Sequence, residues 1–245
     1  MSAPSYGAAW PAYAKQWDKC SIVAKHVTEV KNTAAKLFKN KDRYNALATK
    51  TGVPWWVIAA LHERESGARF DRQLAQGDPL NRRSTNEPIS GPFSSFEDSA
   101  VWALHHDHLD TVTDWRVEKC LYWSEAWNGW GYRGRVPSPY LWGDTTIQQP
   151  GKFIRDHVWS STAWDEQEGV AAIWKGLAML DPTIKFVRET PAGTPGDEGA
   201  PVDPPLPKNQ VDTSQKVKVV APPKPTVVTP PAKTGGFWSW LTRTK

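Results

Sequence analysis

Residues Pro54 to Leu80 read PWWVIAALHERESGARFDRQLAQGDPL, and this stretch decides the fold. Pro54 suits the first position of a helix, where its missing N–H has no partner to lose. Trp55, Trp56, Val57, Ile58, Ala59, Ala60 and Leu61 are apolar almost all round. A helix of that kind is buried on most sides rather than laid on a surface. It runs straight into His62-Glu63-Arg64-Glu65-Ser66, with Gly67 placed to cap it. A carboxyl at the mouth of an apolar helix has its charged form disfavoured by desolvation. In such a setting a glutamic acid can hold a proton near neutral pH and donate it. Two glutamates compete for that role. Positions two apart on a helix lie about 200° apart, so Glu63 and Glu65 cannot both serve one site. Glu65 continues Ile58 and Leu61, Glu63 continues Trp56 and Ala60, and periodicity leaves the choice open.

Around this helix, 245 residues allow one substantial domain with a real core. Fifteen tryptophans exceed what packing needs, and rings with a polar edge suit the faces of sugars. No apolar run is long enough to span a bilayer. The start, MSAPSYGAAWPAYAKQWDKC, lacks the basic and apolar regions of a conventional signal peptide. Cys20 and Cys120 are too few for a disulfide framework and are read as buried free thiols.

The periodicity predicts an irregular start, then a helix over about 21–50 with Ala34, Leu37, Tyr44 and Leu47 inward. Residues 69–93, rich in Asp, Asn, Gly, Pro and Ser, form a long loop or small hairpin of the kind that carries function. A helix opens at Ser94 or Ser95 with an acid three residues on, and runs to Leu109. Further helices are expected over about 114–127 and 165–180, the latter with Asp165, Glu166 and Glu168 at its N-terminal end. The domain should close near residue 188. Residues 189–236 are proline-rich and expected to be disordered, ahead of an aromatic-basic segment at 237–245, FWSWLTRTK. From Pro205 onward six lysines and one arginine face Asp212 alone, which leaves residues 1–204 near −2. The tail therefore makes the chain basic, and it suits either a solubilising role or contact with a membrane or other anionic envelope surface.

His105-His106-Asp107-His108 invites a metal reading, but ligands on one helix come three or four residues apart and consecutive histidines diverge. His62-Glu63 lacks the second histidine of a zinc peptidase helix. No metal, cofactor or nucleic-acid partner is expected.

Glu65-Ser66, ending an apolar helix and preceded by His62 and Arg64, resembles the Glu-Ser motif of lysozyme-like lytic transglycosylases. Trp127-Asn128-Gly129-Trp130-Gly131-Tyr132-Arg133 resembles the aromatic-Asn-x-Gly motif with which they line the cleft opposite that glutamate, with Trp127 standing where Tyr is usual. Together with GDPL at 77–80 and SPYLW at 138–142, the order looks like that of phage and bacterial lysozyme-family proteins over roughly residues 40–180. The resemblance implies a mainly α, lysozyme-like domain that cuts the β-1,4 bond between N-acetylmuramic acid and N-acetylglucosamine in peptidoglycan glycan strands. It makes Glu65 the acid/base. Ser66, Asn128, Gly129 and Tyr132 become substrate-binding residues, with Asn128 on an acetamido group and Tyr132 at the sugar or orienting Glu65. Tyr140 and Trp142 become subsite rings. Asp78 would place a water in a hydrolase or merely fix the Gly-Asp-Pro turn; Asp71 is a second acid in the same loop. Such a protein would be made in the cytoplasm and reach the periplasm or cell wall through phage lysis or virion delivery. A glycan-binding module that uses Glu65 structurally, and a chitinase-type enzyme, are the competing readings.

Overall fold

The computed structural model describes residues 3–85, 88–155 and 157–189. The expected proline-rich and aromatic-basic tail lies outside the described residues. Those described are mainly helical. They form α1 (Tyr6–Lys19), α2 (Val27–Phe38), α3 (Lys41–Thr51), α4 (Trp55–Ser66), α5 (Phe96–His106), α6 (Val117–Asn128), the single turn α7 (Pro139–Trp142) and α8 (Val170–Leu180). Two short antiparallel strands, β1 (Lys152–Arg155) and β2 (Val158–Ser160), pair between α7 and α8 with Phe153 opposite Trp159.

α4 is the centre. Every residue from Trp55 to His62 is buried, with α3 packed on it from one side and α8 from another. α2 lies along α8, and α1 along α6. Pro54 stands one place earlier than expected, as the residue before the first helical one. Gly67 caps α4 in the left-handed region (φ 65°), its N–H donating to the Glu63 carbonyl at 2.8 Å. Among the described residues no helix is long and apolar enough to cross a membrane. Cys20 and Cys120 are both buried free thiols.

Three boundaries differ from the sequence reading. The start is helical, not irregular: Ala9, Tyr13 and Trp17, four residues apart, bury one stripe of α1, and that burial outweighs the bond lost at Pro11. The helix expected over 21–50 is two, broken at Lys39 and Asn40, where the Asn40 amide folds back onto the Lys36 carbonyl at 3.1 Å. The last helix starts at Val170 rather than Asp165, and the acids before it serve elsewhere. Ser95 does cap α5, accepting from the Asp98 N–H at 3.0 Å.

His62 shows what burial in α4 means. Its Nδ1 lies 2.9 Å from the Tyr44 hydroxyl and its ring stacks on Phe96 at 4.0 Å. Burial pushes the imidazole down from 6.5 to about 4. The unfolded chain therefore takes the proton before the folded one does. This contribution is intact above pH 6.5 and is lost as the pH falls from 6.5 through 4, by at most about 3 kcal/mol. In urea unfolding at pH 7 and pH 4, the wild type should lose stability on acidification by about that much more than His62→Gln. Equal losses would mean that His62 protonates freely in the folded state.

Candidate active site

Glu65 sits in the last turn of α4, half-buried, and three elements converge on it. Its Oε1 accepts the Trp127 indole N–H from α6 at 2.9 Å and the Tyr140 hydroxyl from α7 at 3.0 Å. The Tyr140 ring is buried, and burial and the Glu65 charge together hold its phenol well above the usual range. It is therefore a neutral donor at every physiological pH. The Arg64 guanidinium lies over that ring at 4.6 Å, donates to the Glu168 carbonyl at 3.0 Å and stands 3.4 Å from Asp165. Burial works against the Asp165 charge, yet Arg64 and Lys152 hold its carboxyl below the usual range. Asp165 thus fastens the segment before α8 to the end of α4. Glu63 pairs with Lys36 of α2 at 2.6 Å, although it too lines the cleft described next. The choice that periodicity left open is decided by partners: Glu63 is in an ion pair, Glu65 in an aromatic cradle.

A cleft of about 640 Å³ opens at this helix end, lined by residues 63–67, Arg69, Arg72, Gly77 and residues 166–168. Glu168 is among them. Burial and the nearby Glu63 charge push its carboxyl up to about 7, and its Oε1 accepts from the Thr33 hydroxyl at 2.9 Å.

The 69–93 loop is organised by a residue that the sequence did not single out. Gln73 is fully buried; its amide donates to the Pro79 and Arg82 carbonyls, and its Oε1 accepts from the Ser90 hydroxyl at 2.8 Å. A hairpin-like turn closes through Gln73 N–H to the Asp78 carbonyl at 2.7 Å and a bridge between Arg72 and Pro79. Gly77 in this turn adopts φ 60° so close to α4 that a Cβ would stand 2.5 Å from the Glu65 carbonyl oxygen. The loop is thereby pressed onto α4.

Of the residues expected at the site, Glu65 and Ser66 line the cleft, and the Ser66 hydroxyl donates to the His62 carbonyl at 3.3 Å. Asp78 is half-buried, is not on the cleft lining, and has Oδ2 shielded from solvent. Asn128 ends α6 and is 7 % exposed, followed by Gly129 with φ 93°. The motif does reach Glu65, but through Trp127. Tyr132 packs edge-on against Phe153 and Trp159, and burial pushes its phenol up to about 12. It does not orient Glu65; Tyr140 does. Trp142, expected as a subsite ring, is 1 % exposed, packs in the core and is not on the lining of the cleft at Glu65. Tyr140, at 4 % exposure, is likewise a partner of Glu65 and not an open ring.

The histidines at 105 and 106 have separate partners, His105 on Asp110 at 2.7 Å and His106 on Asp107 at 3.1 Å. Among the described residues, His26, Glu29 and Asp144 also lie close together. His26 there hydrogen-bonds Glu29 through Nδ1 at 3.0 Å, and its Nε2 lies 3.4 Å from the Asp144 carboxylate. No family model, no curated protein and no solved structure matches the chain.

Proposed function

We propose that the protein is a glycosidase with a lysozyme-like fold that cuts the β-1,4 bond between N-acetylmuramic acid and N-acetylglucosamine in peptidoglycan, with Glu65 as its acid and then its base. The observation that carries this reading is the Glu65 carboxyl held through Oε1 by Trp127 and Tyr140 at the mouth of a cleft. With Oε1 committed to two donors, a proton on this carboxyl rides on Oε2. Glu65 gives that proton to the glycosidic oxygen as the C1–O bond breaks, and the bond's electron pair goes to the leaving oxygen. The carboxylate that remains takes a proton from the nucleophile attacking C1. If the nucleophile is the muramyl 6-hydroxyl the product is a 1,6-anhydro sugar; if it is water the product is a reducing sugar. The position of Asp78, off the cleft lining, favours the route that needs Glu65 alone.

Mass spectrometry of purified peptidoglycan digested with the protein tests this. Anhydro-muropeptides are the expected products, and reducing-end products would restore Asp78 as the group that places water. Soluble products absent from every digest would leave a glycan-binding module. Tyr140→Phe removes one donor to Glu65 and keeps the ring. Because a hydrogen bond to a charged group contributes about 1.5–3 kcal/mol, kcat should fall at least roughly tenfold while KM stays within about twofold. A rise in KM with kcat unchanged would make Tyr140 a substrate contact instead.

A further inference from the structure

α4 ends in two successive left-handed residues, Gly67 at φ 65° and Ala68 at φ 54°. They reverse the chain so that Arg69 and Arg72, joined by the Arg72 N–H to the Arg69 carbonyl at 3.1 Å, both line the cleft beside Glu65. Between them stands Asp71. Arg69 grips its carboxylate with both prongs of the guanidinium, Nε to Oδ1 at 3.2 Å and Nη2 to Oδ2 at 2.9 Å, and Arg72 Nε lies 3.7 Å from the same Oδ2. One carboxylate thus touches two guanidinium groups at the edge of the cleft.

We propose that Arg69 and Arg72 form a recognition site for a carboxylate of the muramic acid substituent, held in the resting protein by Asp71 and in the complex by the substrate. This deepens the glycosidase reading and rests on it. Arginine's planar fork matches a carboxylate in a way that a point charge does not. The Asp71 side chain is 66 % exposed and Arg69 55 % exposed, so water and salt compete for the pair and an incoming carboxylate can displace it. The Arg69 hydrogen bonds hold the Asp71 carboxyl below the usual range, which is the response of any carboxylate placed there. Four other acids line the cleft, Glu63, Glu65, Glu166 and Glu168, and of these Glu166 is exposed, so that water and salt screen it. Glu63 is paired with Lys36, and Glu168 is pushed up to about 7. Muramic acid carries a lactyl group whose carboxyl is free where no peptide is attached and is spent in an amide bond where a stem is attached, the stem then supplying the carboxylates; N-acetylglucosamine polymers carry none. The two arginines would therefore favour peptidoglycan over chitin.

The test is binding by calorimetry to the full chain carrying Glu65→Gln, so that ligands survive. Three probes are used: stem-bearing peptidoglycan fragments, the same strands stripped by an amidase to leave the lactyl carboxylate, and neutral N-acetylglucosamine oligomers. Adding Arg69→Ala and Arg72→Ala together should weaken binding of the acidic fragments about tenfold and leave the neutral oligomer unaltered. Loss on stem-bearing fragments alone assigns the site to a stem carboxylate, loss on the stripped strands alone assigns it to the lactyl carboxylate, and loss on both means that either carboxylate fills it. Asp71→Asn should act in the opposite direction, tightening the acidic fragments about twofold to threefold by removing their competitor. Equal affinity of the arginine double variant for acidic fragments, or an equal loss on the neutral oligomer, overturns the proposal. Turnover by the unsubstituted chain is read separately: a carboxylate preference without cleavage would sink the glycosidase reading and leave this site standing.

Discussion

Glu65→Gln should lower kcat on peptidoglycan by about 10²–10⁴-fold, the span for loss of a general acid, equivalent to roughly 3–5 kcal/mol of barrier. The substitution is nearly the same shape. Its amide oxygen can still accept from Trp127 and Tyr140, which donate at 2.9 and 3.0 Å, so the cradle and the cleft are kept. Binding to insoluble peptidoglycan should therefore be retained while soluble products vanish. Glu65→Asp makes the complementary point: one methylene shorter, it cannot both hold those two donors and reach the glycosidic oxygen, and it should be impaired although it keeps the carboxyl. A rate for Glu65→Gln within a few-fold of wild type would remove Glu65 as the catalyst. The glycan-binding reading would then have to explain the cradle.

Gly169→Ala should be strongly destabilising. Gly169 begins the turn into α8, and its N–H donates to the Gly143 carbonyl at 2.9 Å just after α7. A Cβ at 169 would stand 2.5 Å from the Leu141 carbonyl oxygen and closer still to the Gly143 nitrogen. Both are backbone atoms, so no side chain can swing aside. The α7–α8 junction must part, at a cost of about 3 kcal/mol or more for an overpacked contact of this kind. For a domain of this size that corresponds to a fall of roughly 10 °C in Tm. Activity should fall with it, because Glu168, the neighbour of Gly169, carries the carbonyl that Arg64 holds beside Glu65. A melting temperature within about 2 °C of wild type would show that the junction yields easily.

Much of the architecture was legible because it is local. The run Trp55–Leu61 could only be a buried helix, and the structure buries all of it. The Gly67 cap and the Ser95 cap follow from backbone chemistry within a turn. The start was expected to be irregular, and the partners that bury Ala9, Tyr13 and Trp17 come from far along the chain, α6 along the helix and Trp174 and Phe186 against Trp17, with no local signature.

The site was legible in part. The end of the apolar helix offered two carboxyls, Glu63 and Glu65, and it was the resemblance of Glu65-Ser66 and of residues 127–133 to known motifs that singled them out. Their partners are not legible in sequence, because the fold covers aromatic rings whose exposure no local pattern sets. Tyr140, Trp142 and Tyr132 look alike in sequence. One donates to Glu65, one is core, and one packs on the β1–β2 hairpin.

By itself the sequence determined a mainly helical domain, a buried central helix ending in a carboxyl, and a polar loop after it. These depend on periodicity, caps and turn residues, which act over a few positions of chain. Only the tertiary structure decided which glutamate is cradled, that Trp127 and Tyr140 hold it, that Arg64 ties the segment before α8 to it, and that Arg69 and Arg72 share one carboxylate at its rim. The physical reason is that Glu63 and Glu65 have the same side chain and nearly the same place in the chain. What separates them is the set of groups brought to each by α2, α6 and α7, and those contacts exist only once the helices have packed.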